Sequence, residues 1–205
     1  MNMTKVAVLA SGGGTNLQSI IDAAEAGTLG AEVALVISDK PEAFALERAK
    51  KHSIKTAVVT KKDYPSREAF DKRLIEILKE NSIELVVLAG FMRIISKQLI
   101  DAFPMRIMNI HPSLLPAFPG LDVQQKAIDY GVKFSGCTVH FIDEGVDTGP
   151  IIIQAAVPVT GDDTAESLSS RILKEEHRIY PEAIRLFCQG RLEVNGRKVF
   201  IKDKA

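Results

Sequence analysis

The sequence predicts an α/β fold, doubly wound around a mostly parallel sheet, on two observations. Short continuous apolar runs such as Lys5 to Ala10 (KVAVLA) alternate along the amino-terminal half with stretches whose apolar residues recur at helical spacing. The runs are apolar on both faces, as strands are when helices cover both sides of a parallel sheet.

Taken in order, KVAVLA reads as a strand, and Leu17, Ile20, Ile21 and Ala24 form one helical face that ends before Gly27. Glu32 to Ser38 (EVALVIS) is a second strand followed by the helical AFALERAKKH. Lys55 to Thr60 is a third, followed by SREAFDKRLIEILKENS, in which Phe70, Leu74, Ile77 and Leu78 share a face. Leu85 to Ala89 is a fourth. From Arg106 the character changes: RIMNIH, the Pro-rich turn PSLLPAFPG, a short helix DVQQKAIDYG, then two strand-like runs, GCTVHFI and IIIQAAVPV, split by DEGVDTGP. Polar residues cluster in these turns, where loops carry function. Asp163 with Glu166 resembles a capping box opening a long helix to about Gly190, kinked or restarted at Pro181. LEVNGRKVFI, with Asn195-Gly196 between alternating residues, reads as a hairpin. One domain, 1–205, of two lobes divided near residue 100 is the expected organisation.

Composition narrows the function. Hydrophobic residues at 46% and charged ones at 25% exclude a disordered or fibrous chain. Lys+Arg and Asp+Glu both total 26, so no basic field points to nucleic acid or an anionic membrane, and any phosphate must be bound locally. The apolar runs fall far below the roughly 20 residues that span a bilayer. The first residues lack a secretory signal pattern, so a cytoplasmic chain with Cys137 and Cys188 as free thiols is expected, acting on small molecules as a monomer or homodimer.

Ser11 to Asn16 (SGGGTN) follows the first strand and opens the first helix, where backbone N–H groups and the helix dipole make an anion site. No Lys-Ser/Thr pair follows, which excludes a Walker loop. A dinucleotide fingerprint starts with Gly12-x-Gly14 but meets Leu17 where its third glycine belongs; Asp39, ending the second strand, keeps an NAD reading open. A tight turn without ligand is the bland alternative, and a phosphate monoester the preferred occupant.

Asn109 and His111 stand two apart at a strand end, so their side chains leave one face and can converge on one atom. A satisfied strand end is the alternative; Asp147, in a turn with Gly145, Gly149 and Pro150, tips the balance. A carboxylate beside an imidazole favours its charged form, and Asn supplies a neutral donor for a developing oxyanion. The three suit acyl transfer to an amine. Ser113 lacks a nucleophile-elbow context and both cysteines lie among apolar residues, so direct transfer is the simpler reading. His52, His111, His140 and His177 show no metal-ligand spacing, and no metal is assigned. His140 reads as a hydrogen-bonded strand residue and His52 as a solvated helix end.

SGGGTNLQ, SREAFD, VVLAGFMRIIS, NIHPSLLPAFPG, DEGVDTGPII and EEHRIYP, in this order, resemble the folate-dependent phosphoribosylglycinamide formyltransferases, essentially end to end. NIHPSLLP and D-x-G-P are shared by the wider formyltransferase family; the amino-terminal phosphate loop and EEHxxYP narrow it. The resemblance implies a Rossmann-like formyltransferase fold with a carboxy-terminal lobe carrying the folate-site loops. It also implies transfer of the formyl group of 10-formyltetrahydrofolate, a co-substrate, to the amine of 5'-phosphoribosylglycinamide in de novo purine biosynthesis. Gly14, Thr15 and Asn16 would hold the substrate phosphate and Glu176 its ribose. Asn109, His111 and Asp147 would be catalytic. Arg67, Met92, Arg93, Ile94, Ile95, Asn109, Asp143, Glu144, Gly145, Val146 and Asp147 would line the folate site. Plain core is the alternative for Leu88, Phe91, Met92 and Ile94, and a solvated helix face for Arg67 and Glu176. Many relatives carry His where this chain has Asp122, whose role is left unassigned.

Rival readings are formyl transfer to methionyl-tRNA, which would need a further domain and basic surface, and hydrolysis of the formyl-folate, usually with an added amino-terminal segment. A nucleotide-binding sensor without turnover and a nicotinamide dehydrogenase belong to other classes.

Overall fold

In the computed structural model, which describes residues 3–203, the first apolar run is strand β1 (Thr4–Leu9), and its residues 6–9 have no exposed surface. β1 pairs in parallel with β2 (Ala31–Ser38) on one side and β4 (Leu85–Leu88) on the other. β3 (Lys55–Val58) continues the sheet beyond β2, and β5 (Ile107–His111) beyond β4, all parallel. Each buried Val, Leu or Ile here contributes about 1.5–3 kcal/mol relative to exposure, which is why the runs are apolar on both faces. The helices α1 (Thr15–Glu25), α2 (Phe44–Lys51), α3 (Arg67–Glu80) and α4 (Lys97–Ala102) complete a first compact unit, which ends at Asn109.

The strand order β3-β2-β1-β4-β5 reverses direction between β1 and β4. Connections leaving those two strands diverge, and a crevice opens outside their carboxyl ends. The loops that meet there are tied together: Ser11 N–H donates to the Gly90 carbonyl (3.0 Å) and Met92 N–H to Ser11 Oγ (2.9 Å).

The predicted doubly wound arrangement is present, with local differences. α4, six residues long, is too short to show a periodicity, and a 3-10 turn at Lys61–Asp63 follows β3, which stops at Val58 rather than Thr60. α3 starts where SREAFD suggests, Ser66 Oγ accepting the Ala69 N–H (3.1 Å), and buries Phe70, Leu74, Ile77 and Leu78 together. His52 is not a solvated helix end: its Nδ1 meets Glu25 (2.6 Å) and its Nε2 meets the Gln18 amide (3.2 Å).

The second unit opens at Ile110. Its strands β6 (Phe134–Phe141) and β7 (Ile151–Pro158) pair antiparallel, β9 (Lys198–Ile201) runs parallel to β7, and β8 (Leu192–Asn195) closes the hairpin with β9. α5 (Val123–Tyr130) precedes β6. α6 (Ala165–Cys188) lies on β6 and β7 and buries Leu168, Ile172, Ile179, Ala183 and Leu186 at helical spacing. It passes Pro181 as one helix rather than restarting there.

Two turn assignments shift by one residue. The capping box is Thr164 with Ser167, each side chain accepting the other's backbone N–H (3.1 and 3.0 Å), while the Asp163 carboxylate accepts from Arg171 Nη1 and Nη2 at 2.8 Å. Asn195 pairs with Lys198, so the two turn residues of the hairpin are Gly196 and Arg197, with Gly196 left-handed at φ 57°. No described helix is long and apolar enough to cross a membrane.

Candidate active site

In the first unit, the glycine-rich loop leaves β1 and enters α1 through Gly14, which is left-handed at φ 70°. Glycine is required there twice over: a Cβ would also come within 2.9 Å of Ala45 Cα and Cβ in α2. The loop is held from the same helix, Ala45 N–H donating to the Gly12 carbonyl (3.0 Å) and Arg48 Nε–H to that of Gly13 (2.8 Å). Gly12 and Gly13 would carry their Cβ atoms into open space, so the loop's outer face is clear for a ligand. Thr15 and Asn16 stand in the first turn of α1, whose N–H groups and dipole favour an anion. The loop thus has the shape and polarity to receive a phosphate.

Residues 91–96 leave β4 beside that loop. Asp71 of SREAFD is buried and accepts the Ser96 N–H (2.8 Å), while Arg93 lies over the Phe70 ring at 4.2 Å. These anchors hold Met92 and Ile94 outward, 67% and 65% exposed, so neither is core; Leu88 is, at 4%. Two exposed apolar side chains on a pinned segment offer a surface on which a flat aromatic ring can stack. Arg67 is exposed at the first turn of α3. Asn109 is half-buried on β5, in register with Leu88, and projects from the same face of that strand as His111.

In the second unit, His111 is 5% exposed and Asp147 faces it, Oδ2 lying 3.4 Å from Nδ1. Nε2 of the same ring is 2.9 Å from the Phe118 carbonyl, which can only accept, so Nε2 carries a proton. Asp147 Oδ2 also accepts the Gly120 N–H (2.9 Å). Asp147 is left-handed at φ 55°, a conformation costing roughly 1–2 kcal/mol outside glycine, and such strain is kept where the surroundings enforce it. The two glycines of DEGVDTGP enforce it: a Cβ at Gly149 would collide with the Phe141 carbonyl, and one at Gly145 with the Thr148 hydroxyl. Asp143 closes the turn, Oδ1 accepting the Thr148 hydroxyl (2.6 Å) and the Gly145 N–H (3.1 Å). Glu144 and Val146 are exposed on it.

His140 is the neighbour that sequence spacing did not single out. Fully buried on β6, it places Nε2 3.8 Å from Asp147 Oδ1, while Nδ1–H donates to the Phe141 carbonyl (2.8 Å). Burial pushes its pKa below the usual value. Thr138 and Gln154 are further silent contributors. The Thr138 hydroxyl donates to the Ser113 carbonyl (2.7 Å), and the Gln154 amide to that of Leu115 (2.9 Å), fastening the Pro-rich turn. Their only signal was polarity on otherwise apolar strands. Ser113 spends its hydroxyl on the Ala117 carbonyl (2.6 Å). Glu176 is buried on α6 rather than on a solvated face. Burial, with help from Glu176 and Glu175, pushes the Cys137 thiol up to about 12, which makes it a poor nucleophile. Among the described residues, no group of three or more His, Cys, Asp or Glu is arranged to hold a metal ion.

A formyl transferase family model matches residues 4–184. A phosphoribosylglycinamide formyltransferase from Haemophilus influenzae is 42% identical over 99% of this chain and 96% of its own length. The trifunctional purine biosynthetic protein adenosine-3 of Drosophila melanogaster is 50% identical over 91% of this chain, which spans only 14% of that relative's length. The crystal structure of a glycinamide ribonucleotide transformylase from Symbiobacterium toebii superposes with a TM-score of 0.97 at 55% identity, covering 98% of this chain and 95% of that one.

Proposed function

The chain belongs to the formyl transferase family, and from that premise we propose that it transfers the formyl group of 10-formyltetrahydrofolate to the amine of 5'-phosphoribosylglycinamide. It acts in the cytoplasm, on small molecules, within purine biosynthesis. The observation that carries the reading is the approach of Asp147 to His111 by way of a left-handed turn. A polar pair so enclosed fits carbonyl chemistry better than a structural role.

In this reading Gly14, Thr15 and Asn16 hold the phosphate and Glu176 the ribose. Residues 92–95 and 143–147, with Arg67, hold the folate. The substrate amine adds to the formyl carbon and the carbonyl oxygen becomes negative. Asn109 donates to that oxygen, and His111 does so through Nε2–H, exchanging the Phe118 carbonyl for the oxyanion. Asp147 orients the ring through Nδ1. Collapse of the intermediate forms the amide bond and breaks the bond to folate N10, which takes a proton released by the attacking amine, through His111 or water. Direct transfer agrees with the inert Cys137 and the committed Ser113 hydroxyl.

The test is a spectrophotometric assay with 10-formyl-5,8-dideazafolate and glycinamide ribonucleotide. Deformylated folate should appear only when the ribonucleotide carries its amine. Equal release with the amine-lacking analogue would make the chain a hydrolase and sink the proposal.

A further inference from the structure

The turn that carries Asp147 borders open space. A cavity of about 320 Å³ lies against it, lined by Leu115, Pro116, Asp147, Thr148, Ile151 and Arg197 among others. Where the turn faces that cavity no atoms pack against it, so directional bonds add to the close contacts at Gly145 and Gly149 in aiming Asp147. Within the turn, Asp143 binds Thr148 and Gly145. From outside it, Gly120 N–H reaches the carboxylate, and the Arg197 Nη2–H donates to the Thr148 carbonyl at 2.8 Å.

Arg197 is placed for this by the sheet. It is the second turn residue of the β8–β9 hairpin, and the next residue, Lys198, is in register with Ile151 at the start of β7. The register brings the hairpin turn beside the chain just ahead of β7, where Thr148 lies. We infer that Arg197 is a positioning residue for the reaction: it pins the Thr148–Gly149 peptide, one beyond Asp147, and helps keep the left-handed turn, and so the carboxylate, directed at His111. The inference rests on the catalytic roles proposed for Asp147 and His111.

The experiment compares Arg197→Met and Arg197→Lys with Lys198→Ala in the full chain. Two readouts are used: steady-state transfer, and the Cε1–H resonance of His111 in 13C-histidine-labelled protein. Arg197→Met should lower kcat about tenfold, with KM for both substrates within about twofold, because a misdirected group costs rate more than binding. The His111 resonance should shift in the same variant. Arg197→Lys, and methylguanidinium added to Arg197→Met, should restore part of the rate, while Lys198→Ala should match the parent in both readouts. A kcat for Arg197→Met within about twofold of the parent, or an unmoved His111 resonance, overturns the inference. If the parent chain transfers no formyl group, the proposed function fails, and the His111 resonance alone then decides the role of Arg197.

Discussion

Asn109 and His111 are separated by one residue of β5, and the chemistry proposed for them divides unequally. Asn109 is a neutral donor, so its loss removes one hydrogen bond to the oxyanion. Asn109→Ala should cost about 2.7–4 kcal/mol of transition-state stabilisation, on the order of a hundredfold or more in kcat, with little change in KM. Steady-state kinetics on both substrates check this. In the proposed mechanism His111 and Asp147 act through one another, so the double Ala variant should lose little beyond the worse single one; losses that multiply would uncouple the pair. Among the glycines, Gly14→Ala should destabilise by about 1–3 kcal/mol, from the left-handed backbone and the contact with Ala45. Gly12→Ala, whose Cβ meets nothing within 4 Å, should leave stability unchanged or slightly raised. Urea unfolding of the two variants compares them directly. The side chains that share a strand or a turn were readable in advance because alternation and spacing are local; His140 was not, since its approach to Asp147 depends on where the DEGVDTGP turn folds back.

At the start of α6 two devices stand side by side, the Thr164 and Ser167 box and the Asp163 ion pair with Arg171. Arg171, then the Thr160 backbone and the Ser167 hydroxyl, hold the Asp163 carboxyl well below the usual carboxylate range. A depressed folded value means that the carboxylate's stabilisation is complete above its unfolded pKa of about 3.9 and fades as pH falls below it toward the folded value. Asp163→Asn should therefore lower Tm at neutral pH and flatten the fall in Tm below about pH 4. A variant with the parent's acid dependence would show that the pair contributes nothing to it. Thr, Asp and Ser are all good caps; Thr164 takes the position, and Asp163 beside it binds Arg171, two helical turns on.

For the whole molecule, zero formal charge means that any phosphate must be held by local geometry and not by a general field. Ligand binding should then appear as selective stabilisation. Glycinamide ribonucleotide at about a hundredfold its Kd should add about 2.7 kcal/mol, roughly 5–10 °C in Tm for a chain of this size, and NADH should add nothing. A rise with NADH would revive the dinucleotide reading of Gly12, Gly14 and Asp39. The amino-terminal α/β winding, the glycine loop opening α1 and the Asn-x-His spacing on β5 followed from sequence alone. Each is a repeat or a neighbour relation within a few residues, where backbone periodicity and turn chemistry act. Tertiary structure alone decided that Asp147 reaches the expected His111 through a left-handed turn, that His140 stands behind it, and that Arg197 reaches Thr148. Those contacts join residues remote along the chain, and they are chosen by strand register and by the closure of irregular turns, which no local pattern encodes.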